Sequence, residues 1–257
     1  MKPRNLYRYI KIDDHLDSLL LENKLYFSNP ANFNDPLELQ AKFIFSGEEN
    51  DYPEFKRYME GVTGNKNKLP EFSDFIQELE SLDFQKMNMQ MLSKNAVENW
   101  RIACLSEQRA HNIMFALYSE NHSGLCLIFN TEKDDDLFKN NHLIPVNYAE
   151  NIIEVDLLHY SQKEHQIGCW LSGSKQREWC YEKEWRLIVR KDDNETDPKL
   201  VEFNPECLTG MIFGLRVNVK NREKIKTILK KRNLELDVFE SYITYNSYQL
   251  GIRKVQL

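Results

Sequence analysis

The sequence predicts an α+β fold: a mixed, largely antiparallel sheet core with flanking helices and a helical insertion. Three observations carry that expectation. Short runs with an apolar alternation recur early and late in the chain, at residues 6–10 and 185–189, and a period of two is the mark of a half-buried strand. Residues 51–93 read instead as charged helix interrupted by GVTGNKNKLP, and residues 221–231 place Ile225, Ile228 and Leu229 on one helical face. A chain of 257 residues can bury a large core. The expectation is a single domain over residues 1–257, with a peripheral helical insertion at 51–95.

The elements follow in order. After the strand at 6–10, Asp13 or Asp14 can cap a helix whose apolar stripe is Leu16, Leu19 and Leu20. Residues 25–28 read as a second strand. The next stretch, SNPANFNDPLE, is a structured loop, because Pro30 and Pro36 break regular structure while Asn29, Asn32, Asn34 and Asp35 favour turns. Met87, Met89 and Met91, two apart, cannot all share one helix face, so partial exposure or a local kink is expected there. Residues 100–106 read as a strand, 112–119 as a short helix with Ile113, Met114 and Leu117 inward, and 124–129 as a fully buried strand. The acidic run 132–136 reads as a solvated turn. A strand is expected around 142–148, helix over 152–177, a strand in 178–189 where Trp185, Leu187 and Val189 alternate and which the Glu-rich box precedes or opens, two more at 201–203 and 211–214, and a strand or hairpin over 234–248 that holds Tyr242, Tyr245 and Tyr248.

Composition narrows the function. Hydrophobic residues make up 41% and aromatics 12%, so Phe and Tyr carry much of the burial. A net charge of −6 argues against a general polyanion binder, although charge can still be segregated locally. Five cysteines with no CxxC pair suggest neither a disulfide framework nor a zinc knuckle, and Cys104 and Cys126 read as core residues. No apolar run approaches the about 20 residues of a membrane helix. Residues 1–10 lack the apolar stretch of a signal peptide, so a soluble cytoplasmic protein is expected.

Three polar constellations interrupt apolar surroundings. Asn34, Asp35 and Glu38 lie in the proline-bounded loop, where Asp35 before Pro36 suits an Asx turn and the same loop can present Asn34 and Asp35 to a ligand. Ser106 and Glu107 end one strand, while Tyr118, Ser119, Asn121 and His122 follow the short helix, where a protonated His122 would be favoured by the helix C-terminus. No GxSxG elbow accompanies Ser106. In YEKEWR, Glu182, Glu184 and Arg186 share one face if the segment is extended, and two like charges on a face call for a cation or a ligand between them. An ion pair of Arg186 with either glutamate is the plainer alternative. FSNPANFNDPLE and WCYEKEWRLI are expected to converge on one site.

Together, LYRYIKID, LYFSNPANFNDPLE, CLSEQ followed by LYSENHSGLCLIF, YEKEWRLI and the later FNPECLTGMIFG resemble a widespread bacterial domain family of unknown function. The resemblance runs in order from Leu6 to about Gly214, with FNDP and YExEWR its most specific boxes. Phe115 and Ala116 stand where it commonly shows Trp and a small polar or Ala residue, a modest departure. The layout also resembles the ADP-ribosyltransferases: an opening strand with an aromatic, a helix, and a late strand led by glutamate. That resemblance implies Glu184 as the catalytic carboxylate that steadies the oxocarbenium-like transition state while nicotinamide leaves, with Glu182 orienting the acceptor. It puts Tyr9 where a first-strand His or Arg would contact the ribose, Arg8 beside it, and Ser106 and Tyr118 in the pocket. Asn34, Asp35, His122 and Arg186 complete the candidate binding set. NAD is then a substrate, no metal is expected, and the chain is a toxin or phage-defence effector acting on a protein or nucleic-acid acceptor that the sequence does not identify.

Two other functions stay open. In one, FNDP and YEKEWR are a structural lock in a non-catalytic sensor or interaction module, and the helical insertion meets a partner. In the other, Asp35, Glu38, Glu182 and Glu184 hold magnesium in a metal-dependent hydrolase or nuclease.

Overall fold

A computed structural model describes residues 2–62, 69–140, 142–160, 173–191 and 199–256. In it Asp13 accepts the N–H groups of His15 and Leu16 and so opens α1 (Asp14–Glu22), directly after β1 (Asn5–Ile10). The chain continues through β2 (Lys24–Phe27), β3 (Ala41–Ile44), α2 (Tyr52–Val62), α3 (Phe72–Glu80) and α4 (Leu82–Asn99) to β4 (Trp100–Ser106), α5 (Asn112–Tyr118) and β5 (Leu125–Asn130). Then come β6 (His142–Pro145), β7 (Asn147–Ala149), β8 (Ile153–Asp156), α6 (Leu157–Tyr160), β9 (Ser174–Gln176), β10 (Glu184–Arg190) and β11 (Lys199–Glu202). The last elements are β12 (Leu208–Phe213), α7 (Val219–Arg232), β13 (Asp237–Ile243) and β14 (Leu250–Lys254). The fold is α+β with a large, mostly antiparallel sheet, as its sequence predicts.

Contacts divide the chain into two compact units, one of Met1–Asn29, Arg101–Val146 and Cys180–Leu257, the other of Pro30–Trp100 and Asn147–Trp179. The helices α2, α3 and α4 belong to the second, together with β3 and β7 to β9.

The first unit is built on an eight-stranded sheet in the order β14-β13-β12-β5-β1-β4-β10-β6. β1 runs antiparallel to both neighbours, with Tyr7 opposite Ile128 on β5 and Ser106 on β4. β12 and β13 run parallel, which the intervening α7 permits. The strand period of two separates two cores. Leu125, Leu127 and Phe129 join Leu6, the α1 stripe Leu16, Leu19 and Leu20, and Ile225, Ile228 and Leu229 of α7. On the other parity Cys126 and Ile128 meet Tyr9, Phe115 and Ile212. β5 is therefore apolar on both faces, the reason for its unbroken LCLIFN.

Gly124 precedes β5 where a Cβ would lie 2.2 Å from the carbonyl oxygen of Ile10. Backbone cannot move aside there as a side chain could. Gly124→Ala should cost about 1–3 kcal/mol, the usual range for overpacking, measured by urea denaturation.

In the second unit α2 to α4 gather an aromatic cluster of Phe45, Tyr52, Phe55, Phe72 and Phe75 around Phe43, Leu79 and Val155. Gln85 of α4 serves β3 as a substitute strand: its Oε1 accepts from the Phe43 N–H at 2.9 Å and its Nε2 donates to the Phe43 carbonyl at 2.8 Å. β3 pairs with β8, and β7 with β9, both in parallel.

Several expectations are corrected. α5 buries Met114 and Phe115, whereas Ile113 and Leu117 are 45% and 48% exposed. Residues 153–156 and 174–176 form strands where helix was expected; among the described residues of 152–177 only Leu157–Tyr160 is α-helical, and residues 161–172, with Cys169, lie outside the described residues. Most of the GVTGNKNKLP loop also lies outside them. Within the acidic run Asp134 is buried, since its carboxylate accepts the N–H groups of Leu137 and Asn204. Met87 and Met91, one helical turn apart, are exposed and Met89 is half-buried, in keeping with the partial exposure expected there.

Candidate functional site

In the first unit, β4 ends at Ser106 beside β10, which begins at Glu184. The Ser106 hydroxyl donates to the carbonyl of Glu182 and accepts from the Gln108 N–H at 2.9 Å. Tyr9 of β1 secures the same turn, donating to the Gln108 carbonyl and accepting from the His111 N–H, each at 2.8 Å. Burial raises the Tyr9 pKa, so the ring stays a neutral phenol. The Glu107 N–H bonds the Lys183 carbonyl at 3.1 Å, and the Glu107 carboxylate takes the indole N–H of Trp185 at 2.7 Å. The turn after β4 and the entry into β10 are thus one hydrogen-bonded assembly.

Glu182 and Glu184 are not two residues on one extended face. Arg177–Glu182 form a 3-10 turn, Lys183 has φ 43°, and the strand starts only at Glu184. A non-glycine residue in the left-handed region costs about 1–2 kcal/mol, so the surrounding bonds must hold Lys183 there. The two carboxylates therefore have different company. Glu182, 2% exposed, accepts the Tyr118 hydroxyl on Oε1 at 2.5 Å. Glu184, 6% exposed, is gripped in bidentate fashion by the 1% exposed Arg186, with Nε to Oε1 at 2.7 Å and Nη2 to Oε2 at 3.0 Å. The plainer alternative for Arg186, an ion pair with one glutamate, is what forms.

Aromatic rings border this assembly. His111 and Tyr181 stack at 5.3 Å, and His122 stacks on Phe115 at 5.6 Å. Glu120, Asn121 and His122 all have positive φ, and the His122 carbonyl accepts the Arg216 N–H at 2.9 Å. Protonation of His122 is disfavoured, contrary to the expectation from the helix end, because burial and then the nearby Arg216 charge lower its pKa. Burial lowers His111 too. A histidine with a depressed folded pKa binds fewer protons than the unfolded chain does as pH falls toward and below 6.5, so stability drops over that range. His122→Asn, which tolerates left-handed backbone, should show a shallower loss of melting temperature between pH 7 and pH 5 than the parent chain.

Arg8 turns its Nη2 onto the Tyr26 carbonyl at 2.8 Å, and burial lowers its pKa. Thus Tyr9, Ser106, Tyr118 and Glu182 are linked through one turn, with Glu184 and Arg186 following on β10.

Asn34 and Asp35 belong to the second unit. Asp35 is buried and makes the Asx turn its place before Pro36 suggests, accepting the Leu37 N–H at 2.9 Å. Asn34 is exposed. Glu38 pairs with Lys175 at 3.2 Å, both side chains being buried, and the Lys175 ammonium lies 4.8 Å from the Trp179 ring centre. Lys175 also lines a cavity of about 140 Å³ with Leu37, Leu39, Ile153 and Ser174.

Sequence reasoning missed Lys175, Gln108, His111 and the buried Arg101, whose signals are long-range. Only the placement of His111 directly before a helix pointed to a role. Among the described residues no group of three or more His, Cys, Asp or Glu side chains converges as metal ligands would. Nor, among the described residues, is any helix long and apolar enough to cross a membrane.

The model of a family described as a protein of unknown function (DUF2971) matches residues 114–187. That span contains β5, YEKEWR and all of α5 but its first two residues, and not FNDP. No curated protein and no solved structure matches the chain.

Proposed function

We propose that the chain is an NAD-consuming enzyme of the ADP-ribosyltransferase kind, a transferase or glycohydrolase, working at the Tyr118–Glu182 pair. One observation carries this: a buried carboxylate held by a tyrosine hydroxyl, at the end of a turn whose next residue is in strained backbone. Breaking the bond between ribose C1′ and nicotinamide sends the electron pair out with nicotinamide and leaves positive charge on the sugar. A fixed anion stabilises that charge without reorganising. The acceptor, water or a nucleophile of a protein or nucleic acid, then bonds C1′ and gives up its proton.

In this proposal the resemblance-based roles of the glutamates are exchanged. Glu182 faces the ribose, because Glu184 is already engaged by Arg186, and the His111–Tyr181 stack offers a planar surface suited to nicotinamide. Such chemistry suits a toxin or a phage-defence effector. Incubating pure protein with NAD labelled in the nicotinamide should release the label; no release, no transfer to lysate components and no binding would sink the proposal.

A second function, a non-catalytic interaction module, draws on the same contacts, since the Glu184–Arg186 pair and the Ser106–Glu182 bond also lock the fold. It is favoured if Glu182→Gln and Glu184→Gln alter only the melting temperature.

A further inference from the structure

Charge is segregated in the first unit. In α7, VKNREKIKTILKKR, seven cations stand against one acid, Glu223, within a chain of net charge −6. Some of these are spent on the fold: Lys224 bonds Asp17 at 2.7 Å and Arg222 pairs with Glu240 at 3.2 Å. Others are not. Lys226 and Lys230 have no carboxylate partner among the described residues, and they line an open groove of about 560 Å³ between α7, the start of β13 and the end of β14. Lys254 lines it from β14, paired at 2.5 Å with Asp237, which with Glu235 supplies the two acids of the lining against three lysines, and Leu234, Leu236 and Val238 add its apolar part.

The same two strands end in a turn that carries Tyr245 and Tyr248, 104% and 102% exposed, with Arg253 5.8 Å above the Tyr242 ring nearby. Large aromatics so exposed contribute nothing to a core. β13 spans seven residues, about 23 Å at about 3.3 Å per residue, so an occupant of both groove and tip must be a polymer.

We propose that α7 and the β13–β14 hairpin bind single-stranded nucleic acid. The phosphates lie along Lys226, Lys230 and Lys254, and unpaired bases stack on Tyr245 and Tyr248. A duplex keeps its bases from such stacking, and a second copy of this chain would set like charge against like charge.

The test is fluorescence anisotropy of the full chain with a labelled single-stranded oligonucleotide, its duplex, and labelled poly-glutamate. The single strand should bind at low salt and weaken steeply as salt rises. Combined Lys226→Glu, Lys230→Glu and Lys254→Glu should lower affinity at least about tenfold and flatten the log–log salt slope by about 2. Tyr245→Ala with Tyr248→Ala, at positions too exposed to affect folding, should lower single-strand affinity about tenfold or more and leave the salt slope unchanged. Absence of binding at low salt, equal binding of duplex or poly-glutamate, or affinity untouched by both sets of substitutions overturns the proposal. NAD turnover is not read, so this proposal and the catalytic one fail separately.

Discussion

Arg186→Met should destabilise the first unit by about 3–5 kcal/mol, the cost of leaving one member of a buried ion pair uncompensated. Arg186 and Glu184 are both almost fully buried and share two short hydrogen bonds, so water cannot replace the lost guanidinium. A surface pair gives the contrast. Lys42 and Glu154, both more than half exposed at 3.4 Å, should lose no more than about 1 kcal/mol when either is truncated. Restoring neutrality offers a sharper check: Arg186→Met combined with Glu184→Leu should recover most of the stability, because a buried pair can often be replaced by apolar groups of similar volume. Urea denaturation with an unchanged slope would measure both. A single variant that loses under about 1 kcal/mol would show that Glu184 does not depend on Arg186.

Glu182→Gln should reduce nicotinamide release by about 10²- to 10³-fold while changing the melting temperature little. The amide oxygen can still accept the Tyr118 hydroxyl, so the geometry survives and only the charge is removed. Glu184→Gln should do the reverse. It removes the charge that the buried Arg186 guanidinium grips through two hydrogen bonds, so stability falls while turnover per folded molecule falls less. Activity lost on Glu184→Gln at unchanged stability would return the catalytic role to Glu184. A Tyr118→Phe variant with weakened but measurable turnover would tie the effect to the hydroxyl.

The strands and long helices were legible because their signals are local. β4 and the α1 stripe follow from apolar periodicity alone, and the Asp13 cap from its place before that stripe. α5 was misjudged because seven residues make only two turns; a neighbouring pair, Met114 and Phe115, then does the packing and no full stripe is needed. The site was less legible. Nothing at Lys183 announces a positive φ, since neither glycine nor asparagine stands there, and without that bend Glu182 and Glu184 look like equivalent neighbours on one strand. Asp134 looked like one acid in a solvated run because its second hydrogen-bond donor, Asn204, lies far along the chain. The division into two interleaved units is invisible for the same reason: membership is set by contacts between distant segments.

The position of β1 bears on how the protein is made. It pairs on one side with residues 125–130 and on the other with Ser106, so it leaves the ribosome long before either partner. Bringing such distant segments together carries the entropy of closing a long loop, and folds dominated by non-local pairing form slowly. Until β4 emerges, LYRYI is a nascent strand with both edges unclaimed and apolar side chains on both faces, the state in which growing chains aggregate. Slower elongation would lengthen that interval, and a chaperone that shields this segment would protect the growing chain from aggregation.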